Sequence, residues 1–149
     1  MTNQIIVNAK PQIVWDCLIR ASQWHTWINM NDPPAQISGG KEVLSESASF
    51  KWYRASLRLK SKVIEFQDGN GIVWKTSLFG LGTSYMHWTL EAVNSEQTKL
   101  ILEEVQTGLF PLIFLNDRNS VLVFNSVWLT CLKRKVENEL ASRSKAEPI

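Results

Sequence analysis

One carboxylate in this chain falls where apolar side chains are expected. Residues 98–107 alternate as a strand, and Glu104 is in phase with Leu100 and Leu102. On strict alternation its side chain points into apolar surroundings. Burial there raises a carboxyl pKa and fits the group for acid–base work, such as taking a proton alpha to a carbonyl. A bulge or a one-residue phase change gives the opposite outcome, with Glu104 in water and Glu103 or Val105 inside. Both phases stand open. Gln106 shares the Glu104 face and offers a second polar contact. Arg54 is in phase with Phe50 and Trp52. Turned inward, its guanidinium could hold a ligand carboxylate, but its place near a turn reads as a solvated residue.

The two histidines are far apart. His87 faces away from Trp88, so it belongs to the other side of its strand. His25 lies between Trp24 and Trp27, where it hydrogen-bonds locally or touches a pocket mouth. They support neither a catalytic triad nor a histidine-based metal site. Tyr85 shares the His87 face and reads as a cross-strand packing residue. Cys17 and Cys131 lack a CxxC spacing and read as small buried hydrophobes; a reducing compartment fits. Gly80-Leu81-Gly82 and Gly39-Gly40-Lys41 lack phosphate-loop spacing and read as turns. No metal and no cofactor is expected.

These side chains need a scaffold, and composition bounds it. The chain has 149 residues, 44% hydrophobic and 20% charged, which predicts one domain over 1–149 with a sizeable core. Sixteen basic residues against fourteen acidic ones leave +2, too small a charge for a nucleic-acid footprint. Lys133, Arg134, Lys135, Arg143 and Lys145 cluster mildly and read as a solvated helix end. No apolar run is long enough to span a membrane, and the N-terminus lacks a signal-peptide pattern, so a cytoplasmic protein is expected.

Residues 3–8 read as a first strand. Pro11 then suits the first turn of a helix carrying Ile13, Val14, Cys17 and Leu18 on one face. A second short helix is expected over 22–27, and 29–41, with two prolines and two glycines, reads as a loop. Alternating strands follow over 47–52, 56–66, 71–79, 83–93 and 98–107. Asp68-Gly69-Asn70-Gly71 marks a hairpin between two of them. The apolar run 109–115 either enters the core or forms a mobile rim. A helix over 117–140, capped by Asn116 or Asp117, carries Val121, Phe124, Trp128, Cys131, Leu132, Val136 and Leu140 as a single stripe. A polar tail follows from 142.

A long amphipathic helix needs a large apolar surface, and one face of the sheet is the available one. The expected fold is α+β: a curved antiparallel sheet of about six strands wrapped on the C-terminal helix, with two short helices after the first strand.

The ordered motifs fit that plan. Ala9, Lys10, Pro11, Val14 or Trp15, and Leu18 are followed by the Trp24/Trp27 pair. Leu44, Glu46, Phe50 and Trp52 come next, then Ser61, Val63 and Glu65. His87, Trp88, Leu90 and Glu91 precede Thr98, Leu100, Glu103, Glu104 and Gly108. Trp128, Leu129, Leu132 and Lys133 complete the series. On these the chain resembles the START-like helix-grip (SRPBCC) superfamily, and within it the polyketide cyclase/dehydrase-like bacterial proteins. Members often have Gly where this chain has Ser47. The resemblance implies a deep apolar pocket between helix and sheet, used for lipids, sterols, polyketides or other hydrophobic molecules.

Seven tryptophans in this length agree with pocket walls. The expected lining is Trp52, Trp74, Met86, Trp88, Leu100, Leu102, Phe124 and Trp128, with Glu104 or Gln106 as polar contact. The leading expectation is a monomer or homodimer that binds a hydrophobic small molecule, without nucleic acid as partner. The alternatives are a cyclase/dehydratase-type enzyme using a buried Glu104, and a protein-interaction domain.

Overall fold

The computed structural model describes residues 1–54, 57–78, 80–109 and 118–146. The apolar run from 110, the proposed caps Asn116 and Asp117, and Ser56 and Phe79 lie outside the described residues. Strand β1 (Thr2–Val7) leads into helix α1 (Pro11–Ile19), a 3-10 turn (Ala21–Gln23) and helix α2 (Trp24–Trp27). Strands β2 (Gln36–Ile37), β3 (Ser49–Arg54), β4 (Leu57–Gln67), β5 (Gly71–Leu78), β6 (Gly82–Asn94) and β7 (Gln97–Gly108) follow, then helix α3 (Arg118–Ala146).

The strands form one antiparallel sheet in the order β1-β7-β6-β5-β4-β3-β2. It has seven strands rather than six. The extra one, β2, lies inside the expected loop and pairs Gln36 with Lys51 and Ile37 with Phe50. Two residues are too few to display a period of two, so sequence alternation could not reveal it. Helix α3 also runs past Leu140 to Ala146, where a frayed tail was expected. No glycine or proline interrupts it before Pro148.

Alternation decides which face each strand buries. Phe50, Trp52 and Arg54 of β3, Leu59, Ser61 and Val63 of β4, and Trp74 and Thr76 of β5 turn inward. So do Ser84, Met86, Trp88 and Leu90 of β6 and Thr98, Leu100, Leu102 and Glu104 of β7. Helix α3 covers this face with Val121, Asn125, Trp128, Leu129, Leu132 and Val136. Phe124, Cys131 and Leu140, expected on the stripe, are only half-buried, as is Cys17.

The helix is tied to the edge strand by polar contacts. Asn3 donates to the Leu122 carbonyl at 2.9 Å, and Lys133 donates to the Ile6 carbonyl at 2.9 Å. Gly108 and Ser47 are among the turn residues with a left-handed backbone. Gly108 has φ 66, and a Cβ there would meet the Leu81 carbonyl oxygen at 2.6 Å, so only glycine fits. Ser47 has φ 61, a left-handed conformation that glycine adopts freely and other residues rarely.

Candidate functional site

The inner face has an aromatic part and a polar part. Trp24 from α2, Trp52, Trp74 and Trp88 from the sheet, and Trp128 from α3 converge at its middle. Ring centroids are 5.0 Å apart for Trp24–Trp128, 5.3 Å for Trp88–Trp128 and 5.9 Å for Trp74–Trp88, in tilted and edge-on arrangements favoured by ring quadrupoles. All five are buried.

Some of these indoles are satisfied and others are not. Trp24 donates to the Leu18 carbonyl at 2.9 Å. Trp52 donates to Ser61 Oγ at 2.8 Å, and Ser61 shares a hydrogen bond with Thr76 at 2.7 Å. The indole N–H groups of Trp74 and Trp88 find no acceptor among the described residues. Two buried donors without partners are a costly arrangement in an apolar core.

Near the ends of β3 and β7 the core turns polar. Glu104 is fully buried and Arg54 is 2% exposed. Arg54 Nη1 donates to Glu104 Oε2 at 2.7 Å, and Nη2 donates to Oε1 at 2.8 Å. This is the bidentate geometry that a guanidinium and a carboxylate prefer. Ser84 donates to Oε2 at 2.7 Å, Gln106 to Oε2 at 2.8 Å, and Asn125 to Oε1 at 2.9 Å. The Arg54 guanidinium also lies 4.6 Å from the Phe124 ring centroid, a cation–π contact.

Strict alternation therefore holds in β7, and Glu104, not Glu103, faces inward. The expected electrostatics are reversed, however. Burial pushes the Glu104 carboxyl upward, but the hydrogen bonds and charge of Arg54, with help from Ser84 and Asn125, outweigh it and hold the pKa down to about 2. Glu104 is an ionised, fully engaged acceptor at neutral pH. Arg54 corrects a second expectation: it is a buried strand residue rather than a solvated turn residue. The inward phase was legible from Phe50 and Trp52, but its partner was not.

The remaining expected residues separate clearly. Trp52, Trp74, Met86, Trp88, Leu100, Leu102 and Trp128 are brought together inside, with Gln106 and Phe124 half-buried at the polar part. His87 is exposed on the outer face, and Tyr85 is half-buried opposite Lys75. His25 borders a hollow of about 20 Å³ lined also by Trp24, Trp52, Tyr53 and Trp128. That is room for about one water. Among the described residues, the middle of the space between helix and sheet is filled by the indoles themselves. The Cys17 thiol is pushed up to about 11 by burial and by Glu139, whose carboxylate accepts from Sγ at 3.6 Å. At neutral pH a thiol raised in this way holds little of the nucleophilic thiolate.

Sequence reasoning missed Trp24, Ser84 and Asn125 as site residues. Ser84 and Asn125 carried a signal. Ser84 is in phase with Met86, and Asn125 stands one turn from both Val121 and Leu129 on the buried stripe.

No protein-family model matches the chain, and no curated protein matches it in sequence. Solved structures do match. A hypothetical protein from Helicobacter pylori aligns over 91% of this chain and 86% of its own, at 18% identity and a TM-score of 0.78. The di-domain aromatase/cyclase StfQ of the steffimycin biosynthetic pathway aligns over 96% of this chain at 13% identity and a TM-score of 0.75. This chain spans only 47% of StfQ. A START superfamily protein from Mycobacterium smegmatis aligns over 93% of this chain and 97% of its own, at 8% identity and a TM-score of 0.68. The chain has the helix-grip fold. At these identities the likeness establishes the fold alone, since the same helix-grip scaffold carries unrelated activities. Among the described residues no helix is long and apolar enough to cross a membrane, and no group of three or more potential metal ligands is found.

Proposed function

We propose that this helix-grip domain binds a hydrophobic small molecule, of lipid, acyl or polyketide kind, between α3 and the sheet. The observation that carries the reading is the pair of unpartnered indole N–H donors of Trp74 and Trp88, buried in an otherwise apolar aromatic cluster. A ligand with an apolar body and one acceptor oxygen would complete both the packing and the hydrogen bonding. The tryptophan rings must part to admit it. The buried Arg54–Glu104 network would then hold the polar part of the wall rigid, because each of its members is already engaged.

A polyketide cyclase or dehydratase using Glu104 as base is the weaker reading. A carboxylate held down to about 2 by a bidentate arginine has little affinity for a substrate proton.

Native mass spectrometry of freshly purified protein, followed by organic extraction, tests the proposal. A co-purified apolar mass is expected. The extracted compound should quench tryptophan fluorescence on rebinding, and Trp88→Phe should weaken that rebinding at least tenfold while the fold is kept. Protein that neither retains nor takes up apolar compounds would sink this reading.

A further inference from the structure

The outer face of the sheet carries a second arrangement that the interior does not explain. Antiparallel register sets Lys51 of β3 directly opposite Lys60 of β4, and Lys62 of β4 directly opposite Lys75 of β5. Lys60 and Lys62 are two residues apart and share a face. Opposed side chains in such pairs lie close together, and like charges there repel. Among the described residues none of the four lysines forms an ion pair.

Protection of a sheet edge does not account for them. Lysines commonly guard edge strands, but β4 and β5 are central strands of this sheet. Nor does overall solubility account for them. The net charge of +2 conceals segregation, since a compact group of four cations sits over three adjacent strands.

The four lysines also line a hollow of about 580 Å³, walled on one side by the β2 edge and flanked by the Ser49 and Ser77 hydroxyls. No carboxylate is among its described lining residues. Ser49 pairs with Lys62 and Ser77 with Lys60, so each of these hydroxyl-bearing residues stands opposite a lysine in the register. The hollow is shallow and open on its solvent side. Its donors are almost all cationic or hydroxylic, which is the complement of a multiply charged anion.

We propose that this outer hollow is a binding site for a small, multivalent phosphate-bearing anion, independent of the interior site. The β2 edge that walls the hollow on one side favours a compact anion over a flat bilayer. Single-stranded nucleic acid is disfavoured as well, because such sites combine cations with stacking rings. Among the described lining residues the one aromatic, Phe50, has its side chain buried on the other side of the sheet, and Tyr85, opposite Lys75, stands outside the lining.

The test is calorimetric titration of the whole protein with tripolyphosphate, pyrophosphate and orthophosphate at low salt. The expected order of affinity is tripolyphosphate, then pyrophosphate, then orthophosphate. Affinity should fall several-fold when salt rises from low to physiological strength, as screening shortens the reach of exposed charges. Lys60→Gln/Lys62→Gln should lower tripolyphosphate affinity at least tenfold, with the far-ultraviolet circular dichroism spectrum unchanged. Lys10→Gln/Lys99→Gln, which removes equal charge elsewhere, should leave the affinity unaltered. Equal losses in both double variants would overturn the proposal, since the effect would then be mean charge. Absence of tripolyphosphate binding would overturn it too. So would a single-stranded oligonucleotide or anionic phosphatidylserine vesicles binding through the same lysines while tripolyphosphate fails to compete.

Discussion

The two faces of one sheet treat charge in opposite ways. On the inner face a single cation and a single anion meet, and the carboxylate is engaged by Arg54, Ser84, Gln106 and Asn125. On the outer face four cations gather around a hollow with no anion among its described lining residues. The difference follows from the solvent each face meets. Inside, an uncompensated charge costs several kcal/mol, roughly 3–5 when one partner of a pair is removed. Outside, water and salt screen the same repulsion to about 1 kcal/mol or less. Unpaired charge is therefore affordable only on the outer face, and there it remains available to a ligand.

The largest expected effect breaks the inner pair. Glu104→Ala should cost about 3–5 kcal/mol in urea-induced unfolding, because it strands the buried Arg54 guanidinium. A loss below about 1 kcal/mol would mean that the inner face tolerates a lone charge as the outer one does, and the contrast would collapse.

Acid should produce the next largest effect. The folded Glu104 pKa is depressed from 4.5 to about 2. Its contribution is thus fully present above about pH 4.5 and is lost as pH falls through about 2. The amount is on the order of 3 kcal/mol. Stability–pH curves of the native protein and of Glu104→Gln should converge across that window. Parallel curves would show that the carboxylate gains nothing from its partners.

The smallest effect lies outside. Lys60→Gln/Lys62→Gln should change unfolding stability in ligand-free buffer by no more than about 0.5 kcal/mol, in the stabilising direction, because repulsion is relieved. A loss above about 1 kcal/mol in the same urea titration would show that these lysines hold the fold together and are not spare charges.

Much of the scaffold was legible before any coordinates. Phe50, Trp52 and Arg54 read as one face, as did Leu100, Leu102 and Glu104, because a strand repeats every two residues. The Asp68–Gly71 hairpin was legible because Gly69 takes φ 82 there, a conformation that glycine adopts freely. The stripe on α3 gave the docking side of the helix, although Asn125 was overlooked as a polar residue on it. What escaped notice had short or mixed signals. Strand β2 is two residues long, and Arg54, although in phase with Phe50 and Trp52, is the last residue of its strand, where the sequence also allowed a solvated position.

The sequence by itself determined the order of the elements other than β2, since these depend on local periodicity and turn chemistry, and it left the phase of β7 open between Glu104 and Glu103. Only the tertiary structure decided what Glu104 meets. Arg54 is fifty residues away along the chain, and alternation names a face without naming the neighbour across the sheet. That neighbour set the sign of the pKa shift: burial alone raises a carboxyl pKa, whereas burial beside a bidentate guanidinium lowers it. The lysine hollow has the same origin. Lys51, Lys60, Lys62 and Lys75 are ordinary exposed positions in three separate strands, and only the register of β3, β4 and β5 makes them one site.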